Sequence, residues 1–457
     1  MDNNSGFFSK DHDLRNRILF TVLMLCVYRL GTYIPLPGID ASSLQTMMQS
    51  NQKGLLGMFN VFSGGAIKRM AIFALGIMPY ISASIIVQLL TGVSEYFKSL
   101  KNQGEIGRKK ITQITRYGTV FLAAMQGYGV SVGLESSTSV VIDPGVFFKL
   151  TTIISLVAGT IFLMWLGEQI TQRGIGNGIS LIIFSGIVAE IPRALAATFE
   201  LGRTGALSAS TIFIIFILLL ATVAFIVFME RSVRKILINY PKRQMGSKIY
   251  GGESSHLPLK INVAGVIPAI FASALLLLPM TLANFNFSDS ELFENFSAYF
   301  SQGKPLYMIL YASGIIFFCF FYTSIVFNPN ETAENLRKQG GYIPGIRPGE
   351  RTAFFIEDIL TKLTTIGSLY LTLVCLMPEF LISRYPIPFY LGGTSVLIVV
   401  VVAMDTVSQI QTRLMSQQYE SLIKKTKFGR WFKEGDLKWI LFYLDPPEQA
   451  KALRPII

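Results

Sequence analysis

Ten runs of apolar residues, most of them about twenty long, constrain this chain more than any other feature. At a rise of about 1.5 Å per residue, a run of that length crosses a hydrocarbon layer of about 30 Å. The first five are about Ile18–Ile34, Ala71–Leu90, Tyr117–Val132, Phe147–Leu166 and Ile179–Ile191. The second five are about Thr211–Met229, Ile261–Met280, Leu306–Phe327, Phe354–Met377 and Phe389–Ile410. The third and fifth are short and broken by Gly or Pro. In lipid the backbone must satisfy its own hydrogen bonds, so such runs fold as helices. The expected fold is all-α, a polytopic membrane protein with ten transmembrane helices.

Charge and cysteine usage agree. Only 15% of the 457 residues are charged, against about 25% in soluble chains, too few to cover a wetted surface of this size. Cys26, Cys319 and Cys375 lie inside apolar runs with no metal-type spacing, and His12 and His256 lie in polar stretches. No metal, cofactor, catalytic residue or direct DNA binding is expected. The polar start MDNNSGFFSKDHDLRNR gives no cleavable signal peptide ahead of the first run.

Orientation follows from the basic residues. Of the 40 Lys and Arg residues, 30 fall at the termini and in the even-numbered loops, 7 in the odd-numbered loops, and Arg29, Lys149 and Lys362 inside the runs. Both termini and the large basic loops 229–260 and 328–352 are therefore expected in the cytoplasm. Those loops are longer than turns require, and two readings stay open: they set orientation only, or they also meet a cytosolic partner.

The halves repeat. GIMPYISAS (Gly76–Ser84) in the second run and GVIPAIFAS (Gly265–Ser273) in the seventh share Gly, Pro, Ile, Ala and Ser at matching positions. With five spans per half, the halves run in opposite directions, the pattern of an inverted repeat around a midplane path. The halves are expected at residues 1–200 and 207–428. Proline inside a span frees a carbonyl, so these two helices are expected to be interrupted and to form moving walls.

The spans hold few charges. Arg29 lies in the first, Glu357, Asp358 and Lys362 near the cytoplasmic start of the ninth, and Asp405 near the end of the tenth. That leaves a path lined by Ile77, Ile81, Ser82, Ser84, Gln88, Asn262 and Ile270. A narrow aliphatic constriction excludes water and ions by dewetting, yet yields around a flexible substrate. A solute transporter would instead need a compact polar midplane site. An intramembrane enzyme would need a dyad, and no span contains His.

Three shorter motifs add detail. Residues 55–67, LLGMFNVFSGGAI, are apolar but too short to span. They read either as an amphipathic helix on the outer surface or as a re-entrant helix hinged at Gly64–Gly65. QRGIGNGIS (172–180) follows no strand, so it reads as a tight turn, not a phosphate loop. In loop 328–352 a short capped helix precedes a Gly/Pro-rich tip, where Tyr342, Ile343 and Ile346 flank Arg347.

At these residues the chain resembles the SecY family, the channel subunits of the bacterial SecYEG translocon. The matching stretches are GTYIPLPGID (31–40), MFNVFSGGA (58–66), FALGIMPYISASII (73–86) and GTIFLMWLGEQITQRGIGNGIS (159–180). Further ones are HLPLKINVAGVIPAIFAS (256–273), FNPNETAENLRKQGGYIPGIRPGE (327–350), PFYLGGTS (388–395) and SQQYES (416–421).

The resemblance implies a protein-conducting channel in the bacterial inner membrane. Two five-helix halves form a clamshell around an hourglass pore. Its ring would be Ile77, Ile81, Ile179, Ile183, Ile270 and Ile398. A plug would match Leu55–Ile67, including Leu55, Met58, Phe59, Phe62, Gly64 and Gly65. A lateral gate between spans 2–3 and 7–8 would carry Ser82, Asn262 and Gln126. Arg347, Lys242, Arg243 and Lys248 would dock the SecA ATPase or the ribosome, while SecE and SecG would be partner subunits. The cargo would be signal sequences and nascent polypeptides, some released into the lipid bilayer. Two departures stand out. Ser247–Lys248 replaces a basic pair common in the family, and the segment 429–457 continues past the usual end, either as an interfacial segment or as a foreign addition.

Overall fold

The computed structural model describes residues 12–40, 43–44, 63–135, 140–205, 208–240, 243–245, 248–250, 254–283, 304–384 and 393–425. They divide into two compact units, Arg17–Ala403, and Met1–Asn16 together with Met404–Ile457. In the smaller unit the described residues are the first turn of α1 (His12–Gly31) and the C-terminal part of α12 (Gly393–Lys425).

In the larger unit a helix stands at each predicted span. After α1 come α2 (Met78–Val93), α3 (Glu95–Asn102), α4 (Glu105–Glu135), α5 (Val146–Arg173), α6 (Gly178–Arg203) and α7 (Ala209–Arg231). Then follow α8 (Ile267–Ala283), α9 (Pro305–Val326), α10 (Pro329–Lys338), α11 (Glu350–Arg384) and α12. Among the described residues 6 helices are long and apolar enough to cross a membrane, while Met78–Val93 and Ile267–Leu276 are apolar but shorter. The protein is a polytopic helical membrane protein. Its outer faces show this too: on α7 only Ile226 and Met229 are buried, whereas Phe213, Ile214, Phe216 and Ile217 point outward. Such a contiguous apolar surface belongs in lipid, not water.

Several helices differ in length from the reading of the runs, and for the second and third spans the reason is local. The third span is longer than its apolar run because Glu105–Arg116 extends the helix as a polar stalk, packed on α3. A Cβ on Gly107 would fall on the Leu100 carbonyl, so glycine permits that crossing. The second span is shorter, because its first residues are turns.

The turn between α5 and α6 is tight, as the QRGIGNGIS motif predicts. Asn177 caps α6, its side chain accepting from Ile179 N at 3.1 Å and Ser180 N at 3.4 Å. The turn docks on α1, where Thr21 Oγ1 accepts from Ile175 N at 3.1 Å.

Between α7 and α8 the chain makes strands that the sequence reading lacks. Strand β1 (Val233–Asn239) pairs antiparallel with β4 (Ser254–Lys260), from Val233 opposite Lys260 to Asn239 opposite Ser254. Between them β2 (Arg243–Met245) pairs with β3 (Lys248–Tyr250). Ile236 and Ile238 alternate inward from β1 and join Leu259, Leu336, Ile343, Ile356, Leu360 and Leu363 in one small core. Asn239 and Tyr342 exchange backbone hydrogen bonds of 2.9 and 3.0 Å, so loops 229–260 and 328–352 form one platform. Asn328 caps α10, as expected, accepting from Asn330 N at 3.1 Å.

Candidate functional site

The repeated motif builds the same object twice. Gly76 and Gly265 both adopt left-handed backbone, φ 57° and 63°, a conformation glycine takes without a Cβ penalty. Each is followed within three residues by a proline in a first helical turn, Pro79 of α2 and Pro268 of α8. The prolines therefore start helices and free no carbonyl within one, which corrects that part of the expectation, while the interruption of each apolar run lies just ahead of them. A first-turn N–H has no intrahelical acceptor, so proline loses nothing there. The paired isoleucines close these turns: Ile81 N donates to the Ile77 carbonyl at 3.1 Å, and Ile270 N to the Val266 carbonyl at 3.3 Å.

Late helix starts leave irregular backbone inside two apolar runs. Such backbone is tolerated at membrane depth only where protein buries it or a cavity adjoins it. Residues 63–77 meet that condition. Ser63, Ala66, Met70, Ala71, Ala74 and Ile77 are buried. The Ile72 N–H donates to the Ile34 carbonyl at 3.0 Å, and Leu36 N to the Met70 carbonyl at 2.9 Å.

Of the expected ring residues, Ile77 is the N-cap of α2 and the others stand on α2, α6, α8 and α12. Ile77, Ile81, Ile183 and Ile398 are buried, and Ile179 and Ile270 half-buried. Ile179 lies over Gly167 of α5, where an added Cβ would stand 3.1 Å from its Cγ1. Helix α8 packs on both α2 and α4. Ser82 is buried on α2 and Gln126 half-buried on α4. Of the residues expected to form a plug, Leu55, Met58, Phe59 and Phe62 lie outside the described residues, as do Lys242 and 429–457, while Gly64 and Gly65 form a buried turn. Arg347 is exposed at the platform's tip, its carbonyl accepting from Thr352 Oγ1 at 3.0 Å. Arg243 and Lys248 fall on β2 and β3.

Asn262 ties two helices together. Its Nδ2 donates to Glu230 Oε1 at 2.6 Å and to the Gly265 carbonyl at 3.1 Å, joining the end of α7 to the left-handed turn that starts α8. On the other side Gly367 of α11 leaves room for the chain: a Cβ there would stand 3.1 Å from the Ile261 carbonyl. Sequence reading missed Glu230 as a partner, along with Arg116 and Glu168, a bidentate pair joining α4 to α5. It also missed Glu190 on α6, buried where Gly65 packs. Each is an ionisable residue at or inside a span end, the signal that was there to follow.

Comparison with known proteins agrees with this geometry. A family model described as SecY matches residues 71–407. A protein translocase subunit SecY from Rickettsia bellii is 54% identical over 429 residues, covering 93% of this chain and 99% of its own. One from Escherichia coli K12 is 53% identical over 426 residues, covering 92% and 96%. Among solved structures, "The structure of a protein conducting channel" superposes with TM-score 0.64 at 19% identity, covering 89% of this chain and 94% of that one. "Sec61 in the Canine ribosome-channel complex from the endoplasmic reticulum" gives 0.60 at 18%, covering 89% and 94%. At these identities the structural likeness speaks for the fold.

Proposed function

We propose that this chain, which belongs to the SecY family, is a passive protein-conducting channel in the bacterial inner membrane, with both termini in the cytoplasm. It passes unfolded secretory proteins across and releases membrane helices sideways into lipid. The observation that carries the reading is the pair of matched helix starts. They set Ile81 and Ile270 at equivalent positions on α2 and α8, helices that pack on each other. Halves 1–200 and 207–428 would move apart as a clamshell. Aliphatic side chains hold few waters, so the ring of Ile77, Ile81, Ile179, Ile183, Ile270 and Ile398 seals by dewetting and yields to a polypeptide. Leu55–Ile67 serves as the plug.

Drive comes from outside the chain. SecA or the ribosome docks on the platform, with Arg347, Lys242, Arg243 and Lys248 as contact residues, and SecE and SecG complete the complex. A signal helix enters through the gate marked by Ser82, Gln126 and Asn262, because lipid burial of apolar surface is worth about 25 cal/mol per Å². That energy shifts the closed–open equilibrium only as far as the helix favours the open state. The deciding experiment is reconstitution with SecE, SecG and SecA in liposomes, scoring protease protection of a preprotein. No protection above vesicles lacking this chain would overturn the reading.

A further inference from the structure

We propose that Arg29 and Glu190 are positioning residues of the seal. From α1 and α6 they clasp the Gly64–Gly65 turn, and through it they fix where α2 begins and where Ile77 and Ile81 stand. This rests on the channel reading. Arg29 Nη1 donates to the Gly64 carbonyl at 2.6 Å, and Tyr28 Oη donates to the Ser63 carbonyl at 3.3 Å. On the opposite side α6 comes close: a Cβ on Gly64 would stand 3.0 Å from Gly186 Cα, and one on Gly65 would fall on Glu190 Oε1. Both glycines have left-handed backbone, φ 64° and 84°, so neither the space nor the conformation admits another residue without strain.

Charge makes the clasp specific. Glu190 is 9% exposed, a carboxylate drawn into the protein close to a span end. Arg193 lies 3.8 Å from it, and Lys68 is within electrostatic range of Glu190, Arg193 and Arg69. Arg69 lies over the Tyr33 ring at 3.9 Å. A buried carboxylate costs too much to keep without a role for its charge. Here it offsets the cations carried by the turn that it touches. Taking the carboxylate away leaves Lys68, Arg69 and Arg193 repelling one another around the same turn.

The link to the seal is direct. The start of this turn packs on the residue before the ring: an added Cβ on Gly76 would stand 3.8 Å from Ser63 Cα. Between them the chain is wound into successive turns, with Ala71 N donating to the Ala66 carbonyl at 2.9 Å and Gly76 N to the Phe73 carbonyl at 2.9 Å. A shift at Gly64–Gly65 therefore moves Ile77.

The test uses the complete chain, assembled with its partner subunits in proteoliposomes, and measures chloride efflux without a motor. Glu190→Gln and Arg29→Gln should each raise resting efflux about tenfold, equivalent to about 1.4 kcal/mol off the closed state. Glu190→Asp and Arg29→Lys, which keep the charges, should stay within about threefold of the parent. If Glu190→Gln does not assemble, Arg29→Gln carries the same test from the other arm. Parental efflux in both neutral variants overturns the proposal. So does a Glu190→Asp leak as large as that of Glu190→Gln, since charge would then be irrelevant. Preprotein protection in parental vesicles is scored separately: its failure sinks the channel reading, whereas its success with unchanged efflux sinks only the clasp.

Discussion

Replacing Asn262 with Ala removes two hydrogen bonds at the start of α8. One runs to the Glu230 carboxylate at 2.6 Å and the other to the Gly265 carbonyl at 3.1 Å. A bond to a charged group contributes about 1.5–3 kcal/mol and a neutral one about 0.5–1.5 kcal/mol. Asn262 is only 5% exposed, so water does not readily take its place. The expected loss is therefore about 2–4 kcal/mol of unfolding free energy, measured by titrating the purified complex with SDS in mixed micelles. Paired with Glu230→Ala, which removes the acceptor, the double-mutant cycle should return a coupling of about 1.5–3 kcal/mol. Because Gly265 sets the left-handed turn ahead of Ile270, Asn262→Ala should also raise resting ion leak. A loss below about 0.5 kcal/mol, or a coupling near zero, would refute the idea that this pair pins α8.

Three further predictions use the same preparations. Ile81→Gly with Ile270→Gly should raise resting ion conductance, and an unchanged conductance would argue against the aliphatic collar. Arg347→Glu should impair SecA-driven export more than insertion of simple membrane helices, and equal effects would remove Arg347 from the docking surface. Gly178→Val should cost about 3 kcal/mol or more, because its Cβ would fall on the Gly167 carbonyl where α5 and α6 meet. As its control, Gly205→Ala, with nothing within 4 Å of the added atom but φ 78°, should cost only about 1–2 kcal/mol.

Most of the helices were legible beforehand, since length and apolarity alone force helices in lipid. The β1–β4 hairpin was not, although Ile236 and Ile238 alternate correctly; a basic loop between spans masks so short a period-2 signal. Pro79 and Pro268 were seen as a repeat that interrupts two runs, but not as helix starts that free no carbonyl. Proline types look alike in sequence whether they start a helix or kink it, and the left-handed Gly76 and Gly265 decide between the two. Glu190 was overlooked because it closes an apolar run, where an ionisable residue normally reaches the interface.

What the sequence determined by itself is the series of membrane-spanning helices, the repeated motif and the family, because hydrophobic length and long motifs are local properties of the chain. What only the tertiary structure decided is which polar atoms meet. Asn262 with Glu230, Arg29 with the Gly64 carbonyl, and Glu190 against Gly65 join elements 32 to 125 positions apart. Inside a membrane a polar group must find such a partner, and the sequence names the group without saying which distant residue the fold brings to it.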